Sequence, residues 1–137
     1  MEKEKRLRGY VFSREADGQF VPQRLQNMFL RDYVESKKCK FLLSTVEYYM
    51  DNCYMMLESQ LDQIDTMDGI AFFSMTFLPE DKEKRKALYN RFLEKGKELH
   101  FALENLSVTK ASDVEQLEEI IAIRDLTKHK EAVPPLV

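Results

Sequence analysis

Residues 68–73 read Asp-Gly-Ile-Ala-Phe-Phe, a turn signal followed at once by an unbroken apolar run. A short apolar run that begins just after a glycine predicts a strand, here over Ile70–Phe73. No polar residue alternates with the apolar ones, which is typical of a parallel strand covered on both faces. This stretch therefore predicts a parallel sheet with helices on both of its sides.

Three further apolar runs predict strands, over Leu7–Phe12, residues 40–44 and residues 99–103. Between the runs, apolar residues recur at spacings of three and four, which indicates helices. Strands that alternate with helices favour parallel pairing through right-handed crossovers. We therefore expect a three-layer α/β/α sandwich with a short parallel sheet in the order 2-1-3-4.

The first predicted helix opens at Pro22, because proline suits the first helical position. Its apolar residues at helical spacing are expected to form one buried face; they are Leu25, Met28, Phe29 and Tyr33. Asp51 or Asn52 is expected to cap the second helix. Pro79 opens the third helix, and Ser112 and Glu115 have capping-box spacing before the fourth, whose inward face carries Leu117, Ile120 and Ile121.

The length of 137 residues fits one domain, which we place at residues 1–126, with a C-terminal tail at 127–137. The charged start of the chain does not resemble a signal peptide, and no apolar run approaches the length of a membrane span. We therefore expect a cytoplasmic protein that does not enter a membrane. A formal net charge of −3 disfavours nucleic-acid binding.

Motifs for phosphate loops, dinucleotides and metals are missing from the sequence. His100 and His129 have no partner at metal-ligand spacing, and Cys39 and Cys53 form no CxxC pair. We therefore predict no cofactor and no metal.

Ligands of parallel α/β folds bind beyond the carboxyl ends of the strands, near the point where strand order reverses. Polar residues follow each predicted strand, and the helix N-termini add more. The candidates at this rim are Ser13, Arg14, Gln23, Asn27, Ser44, Glu47, Tyr48, Asn52, Tyr54, Ser74 and Glu104. An arginine beside free helix N–H groups suits an anion. Each residue could equally be structural: Asn52 as a cap, Ser13 and Ser74 as partners of backbone groups.

The order of elements resembles the catalytic domain of serine recombinases. The resemblance rests on Gly9-Tyr10, a Gln-rich first helix, Asp68-Gly69-Ile70 and Lys97-Glu98-Leu99, and it implies a resolvase- or flavodoxin-like fold. The catalytic arginines of those enzymes are missing. Phe12 lies near the first arginine position, and Thr76-Phe77-Leu78-Pro79-Glu80 replaces an Asp-Arg-x-x-Arg stretch. We therefore reject DNA strand exchange as the activity.

A second resemblance covers about residues 8–126 and is closer. Its motifs include Arg8-Gly9-Tyr10 through Ser13-Arg14, Val21-Pro22-Gln23, Asn52-Cys53-Tyr54-Met55-Met56-Leu57 and Leu78-Pro79. These motifs resemble the sporadic carbohydrate cluster protein family of small bacterial proteins. That resemblance implies a setting in surface-polysaccharide gene clusters and defines no reaction.

Together these features lead to three hypotheses. The first is an accessory enzyme or a binding protein for an anionic sugar or nucleotide-sugar. In it Arg14 pairs with the anion, Gln23, Asn27 and Asn52 bond hydroxyls, Glu47 is the general base and Ser13 the nucleophile. The second is a non-catalytic homo-oligomeric interaction module that serves a polysaccharide biosynthesis enzyme. The third, a vestigial recombinase-like DNA-binding domain, is disfavoured by charge. The sequence does not decide whether the chain is an enzyme.

Overall fold

The computed structural model describes residues 4–131, with side chains described through residue 127. Its α/β class confirms the predicted fold class. The strands are β1 (Arg6–Val11), β2 (Lys40–Val46), β3 (Gly69–Phe72), β4 (Glu98–Phe101) and β5 (Leu106–Val108). The helices are α1 (Gln23–Ser36), α2 (Met55–Asp62), α3 (Lys82–Glu94) and α4 (Ala111–Glu131), and short 3₁₀ helices cover Ile64–Thr66 and Met75–Phe77.

The sheet has the order β2-β1-β3-β4-β5, so the exact strand order differs from the predicted 2-1-3-4. The first four strands are parallel, and β5 pairs antiparallel with β4. The additional strand has three residues, and it follows β4 after the short turn 102–105. A strand this short has too few residues to show a periodic pattern, which is why the sequence did not reveal it.

Helices cover the two faces of the sheet unequally. One core cluster joins β-strand residues such as Phe72 and Phe101 to residues of α2, α3 and α4. The other cluster is smaller and contains residues of a single helix, α1, packed on Leu7, Val11 and Ala71. Within the part of the chain that the structure describes, α1 is therefore the only helix whose buried residues cover its face of the sheet.

The predicted buried face of α1 was wrong in three of its four residues. Tyr33 is buried, but Leu25, Met28 and Phe29 are 43%, 62% and 45% exposed. The face that packs on the sheet contains Gln26, Leu30, Tyr33 and Val34. The sequence pattern was misread because one of its inward positions is a polar glutamine.

Helix starts also differ from the predicted ones. The α2 helix begins at Met55 with Tyr54 as its N-cap, and no side chain of the cap residue bonds the helix, so neither Asp51 nor Asn52 has the predicted capping role. The α3 helix begins at Lys82, three residues after Pro79, because Asp81 accepts the Glu83 N–H as a cap. The α4 helix begins at Ala111, so Ser112 lies within it.

A buried ion pair fixes α4 against α3. The Arg85 guanidinium donates to both carboxylate oxygens of Glu118, at 3.0 and 2.9 Å, and Tyr89 donates to the same carboxylate at 2.6 Å. Helix α4 then runs to Glu131, five residues past the predicted domain end at 126. The remainder of the predicted tail lies outside the described residues. No helix of the described chain is long and apolar enough to cross a membrane.

Candidate functional site

The carboxyl ends of the parallel strands border a cavity of about 340 Å³, which we call the rim cavity. Residues after β1, β3 and β4 line it, together with the start of α1 and one residue of α4. Its polar lining residues include Arg14, Gln26, Ser74, Thr76, Glu104 and Arg124. The cavity therefore brings together three of the predicted site residues, Arg14, Ser74 and Glu104, at the predicted end of the sheet.

Arg14 is held in place by two aromatic rings. Its guanidinium carbon lies 4.0 Å from the centroid of the Phe12 ring and 5.3 Å from that of Tyr54. Its Nη1 donates to the backbone oxygen of Tyr48 at 2.9 Å. Burial raises the pKa of Tyr54, and the neighbouring Arg14 charge opposes that shift. A stacked arginine loses little further freedom when it binds an anion, because its fork is already oriented.

A hydrogen-bond network joins the ends of β3 and β4. The Ser74 hydroxyl donates to Glu104 Oε2 at 2.7 Å and accepts from the backbone N–H and the hydroxyl of Thr76. Glu104 Oε1 accepts the Met75 N–H at 2.9 Å. This network fixes a carboxylate and two hydroxyl groups on one wall of the rim cavity.

Arg124 is a lining residue that the sequence reasoning missed. Its Nε and Nη1 are shielded from solvent, and neither has a hydrogen-bond partner in the described part of the chain. Its Nη2 lies 3.6 Å from Asp125. Shielding guanidinium nitrogens from water without an acceptor costs free energy, so a ligand that supplies an acceptor to Arg124 would be stabilised there. The available signal was its spacing, since Arg124 lies one turn after the inward-facing Ile121.

Gln26 was also missed, and it shapes the cavity. The buried amide accepts the Phe12 N–H at 3.0 Å and donates to the backbone oxygens of Phe12 and Val21, at 2.9 and 2.7 Å. These bonds tie α1 to the segment after β1, where Ala16 and Gln19 close a tight turn through two mutual backbone bonds. Gln26 therefore positions the loop that carries Arg14.

Glu47 lies in a second cluster beside the rim cavity. The carboxylate is buried and accepts the Tyr10 hydroxyl at 2.8 Å and the Tyr48 N–H at 2.9 Å. It also accepts the Met56 and Leu57 N–H groups at the start of α2, at 3.0 and 3.1 Å. Burial, and next the Glu47 charge, raise the pKa of Tyr10. The two bonds from Met56 and Leu57 assign Glu47 the capping of α2, a contribution separate from its predicted role as a base.

Ser13, the predicted nucleophile, donates to the backbone oxygen of Glu47 at 3.1 Å. Its neighbour in sequence, Arg14, bonds the next carbonyl along the chain, that of Tyr48. The side chain of Tyr48 is half exposed. These contacts place Ser13 and Tyr48 in the junction between the β1 and β2 ends, beside the cavity.

Asn27 and Ser44 lie on the α1 side of the sheet. The Ser44 hydroxyl donates to Asn27 Oδ1 at 2.5 Å, which ties α1 to β2. A Cβ on Gly9 would lie 2.1 Å from the Ser44 hydroxyl oxygen, so a larger residue there would force this hydroxyl away from its bond to Asn27. Gln23 is partly buried at the start of α1 and does not line the rim cavity. The predicted group of hydroxyl-binding amides is therefore not brought together at one place.

Asn52 and Tyr54 line a different pocket, a groove of about 650 Å³ between α2 and α3. This groove is larger than the rim cavity, but three of its four charged lining residues are paired with one another. Arg91 bonds both Glu58 and Asp62 there, and all three are exposed to solvent. Solvated, paired charges attract a ligand weakly, so the rim cavity is the better candidate site.

His100 belongs to a polar cluster on the α1 face. Its ring nitrogens bond the Tyr33 hydroxyl at 2.7 Å and Glu98 at 2.8 Å, and Lys5 also donates to Glu98, at 2.5 Å. The bond from His100 is the largest cause that lowers the pKa of Glu98, to about 2. Among the described residues, no group of three His, Cys, Asp or Glu side chains could hold a metal ion.

A scan against protein-family models finds no match for this chain, and a search of curated proteins finds none either. The function is therefore argued from the geometry of the rim cavity.

Proposed function

We propose that this chain is a cytoplasmic protein of bacterial surface-carbohydrate biosynthesis that binds an anionic sugar or nucleotide-sugar in the rim cavity. One observation carries the binding proposal. Arg124 presents two shielded guanidinium nitrogens that have no acceptor among the described residues, in a cavity that Arg14 also lines. The carbohydrate setting rests on the sequence resemblance.

The charges of the rim cavity suit a ligand with both an anionic group and hydroxyl groups. Two arginines offer planar donor forks, which match phosphate or carboxylate oxygens. Glu104 and Asp17 add carboxylates to the same lining, and carboxylates accept hydrogen bonds from hydroxyl groups. A sugar phosphate or a sugar acid carries both kinds of group, whereas inorganic phosphate uses only the arginines.

The size of the cavity supports the same class of ligand. Its volume of about 340 Å³ is at the lower end of the range for small-molecule sites. Apolar side chains of Val21, Leu25 and Leu103 line the rest of it, and they suit the C–H faces of a sugar ring. The nucleotide part of a nucleotide-sugar would extend beyond the cavity.

Thermal-shift measurements test the binding proposal, because a ligand that binds only the native state raises the melting temperature. The probes are glucose 1-phosphate, UDP-glucose, glucuronate, glucose and inorganic phosphate. We expect stabilisation by at least one anionic sugar and none by glucose. The response should disappear in Arg124→Gln and persist in Arg91→Gln, which alters the groove between α2 and α3. A response lost in Arg91→Gln and kept in Arg124→Gln, or no response to any anionic sugar, would overturn the proposal.

The catalytic roles of Ser13 and Glu47 remain predictions. If the chain is an enzyme that uses Ser13, Ser13→Ala should retain ligand-induced stabilisation and lose turnover.

The alternative function is a non-catalytic interaction module. The large apolar side chains on the surface favour it, since exposed apolar patches mark protein contacts. Suppose that the Arg124→Gln protein binds no anionic sugar but still supports full activity of the surface-carbohydrate pathway. That result would favour the alternative function.

A further inference from the structure

The outer side of α1 presents apolar residues that no described part of the chain covers. Leu25, Met28 and Phe29 lie at the helical spacing i, i+3, i+4 and are each close to half exposed or more. With Arg31, Asp32 and Glu35 they line a shallow groove of about 440 Å³. The helix therefore has two apolar sides, one packed on the sheet and one open.

Opposite charges lie at the two ends of α1. The first turn contains Arg24 and no acid, the last turn contains Glu35, and the base Lys37 lies at the C-cap. A helix is stabilised by acids near its N-terminus and by bases near its C-terminus. Within one chain, Arg24 therefore lies at the end of the dipole that favours an acid, whereas Lys37 compensates for Glu35 at the other end.

An antiparallel copy of the same helix brings Arg24 and Glu35 together. The midpoint of α1 is also the midpoint between Arg24 and Glu35. A two-fold pair of α1 helices centred there places Arg24 of each chain opposite Glu35 of the other. It also places each Arg24 near the negative end of the opposing helix dipole. The charge pattern is thus complementary to itself under a two-fold axis, as a symmetric interface requires.

We propose that the α1 face is the interface of a homodimer in which two α1 helices pack antiparallel through Met28 and Phe29. The occupant of the groove is a second copy of this chain. Leu25 lines both this groove and the rim cavity, so the second copy lies beside the cavity mouth.

Sedimentation velocity of the full chain over a micromolar dilution series tests the proposal. We expect the wild type to be dimeric and Met28→Glu to raise the dissociation constant at least about thirty-fold, as loss of a central contact does. Met50→Glu is the matched control, because Met50 is as exposed as Met28, 58% against 62%, and lies outside α1. Circular dichroism checks that each variant is folded.

Exchanging the charges of Arg24 and Glu35 distinguishes a lost contact from misfolding, because a second substitution would not repair a misfolded protein. Arg24→Glu and Glu35→Arg should each weaken the dimer, and the double variant should restore it. A monomeric wild type would overturn the proposal and leave another partner, or residues after 131, as the cover of this face. A dimer that Met50→Glu breaks and Met28→Glu leaves intact would also overturn it.

Discussion

Replacing Glu47 by glutamine removes one acceptor oxygen from a carboxylate that accepts from four N–H and O–H donors and from the Cys53 thiol. Oε1 accepts from Tyr10 and the Leu57 N–H, and Oε2 accepts from the N–H groups of Tyr48 and Met56. Glutamine has a single amide oxygen and an NH₂ group that only donates. With the amide nitrogen at the Oε2 position, the Tyr48 and Met56 N–H groups face another donor. With it at the Oε1 position, the Leu57 N–H faces another donor, while the Tyr10 hydroxyl can turn and accept.

The size of the effect follows from that count. Leaving a buried donor without its partner costs about 1–3 kcal/mol, so one or two stranded donors cost roughly 1–6 kcal/mol. We take about 3 kcal/mol as the expected loss, because local shifts relieve part of it. Total stabilities of domains are about 5–15 kcal/mol, so Glu47→Gln should fold while being clearly weakened.

Urea denaturation followed by circular dichroism measures this loss. The transition midpoint should fall while the slope stays constant, since the change in exposed surface is the same. Glu119→Gln, which alters an exposed glutamate, is the control and should change the free energy of unfolding by less than about 0.5 kcal/mol. A Glu47→Gln protein as stable as the wild type would refute the capping role. If it were also inactive, Glu47 would be the general base that the sequence suggested.

Three further outcomes follow from other contacts. The pKa of Glu98 falls from 4.5 to about 2 on folding, with its bond to His100 as the largest cause. This bond therefore stabilises the protein above pH 4.5, and the stabilisation is lost as the pH drops toward 2. In urea denaturation at a series of pH values, the stability difference between wild type and Glu98→Gln should shrink over that window. Gly69→Ala would place a Cβ 2.3 Å from a backbone oxygen, so it should lower the free energy of unfolding by about 1–3 kcal/mol or more. The Cβ of Gly18→Ala would meet no atom, so this variant bears only the cost of its positive φ. Equal melting temperatures of the two variants would contradict this reasoning. Gln26→Leu leaves the Phe12 N–H and backbone oxygen without their buried partner, so it should lower the free energy of unfolding by about 2–4 kcal/mol in chemical denaturation. An unchanged free energy of unfolding would show that water replaces the amide.

The parallel sheet was readable from the sequence because its strands are short apolar runs. Ile70 and Phe72 are buried in the larger core cluster and Ala71 in the smaller one, as a strand covered on both faces requires. The location of the cavity followed from the general rule for strand ends. Local pattern and general topology were enough for these two predictions.

Features that depend on distant contacts were not readable. Gln26 is polar in sequence but buried, because it bonds backbone groups of a loop 14 residues away. The cap of α2 comes from Glu47, which lies before the helix and beyond the usual capping positions. Arg124 reaches the cavity because the Arg85–Glu118 pair fixes α4 across α3. Each case depends on which elements pack together.

We propose that Arg124 binds the anionic group of a sugar ligand. The ¹⁵N-edited NMR signal of the Arg124 Nε–H group tests it most directly, with the signal assigned by its loss in Arg124→Lys. The probe is whichever anionic sugar raises the melting temperature. We predict that this signal shifts in a saturable manner on titration, while the Arg91 signal stays in place. A saturable shift of the Arg91 signal with an unmoved Arg124 signal would contradict the account.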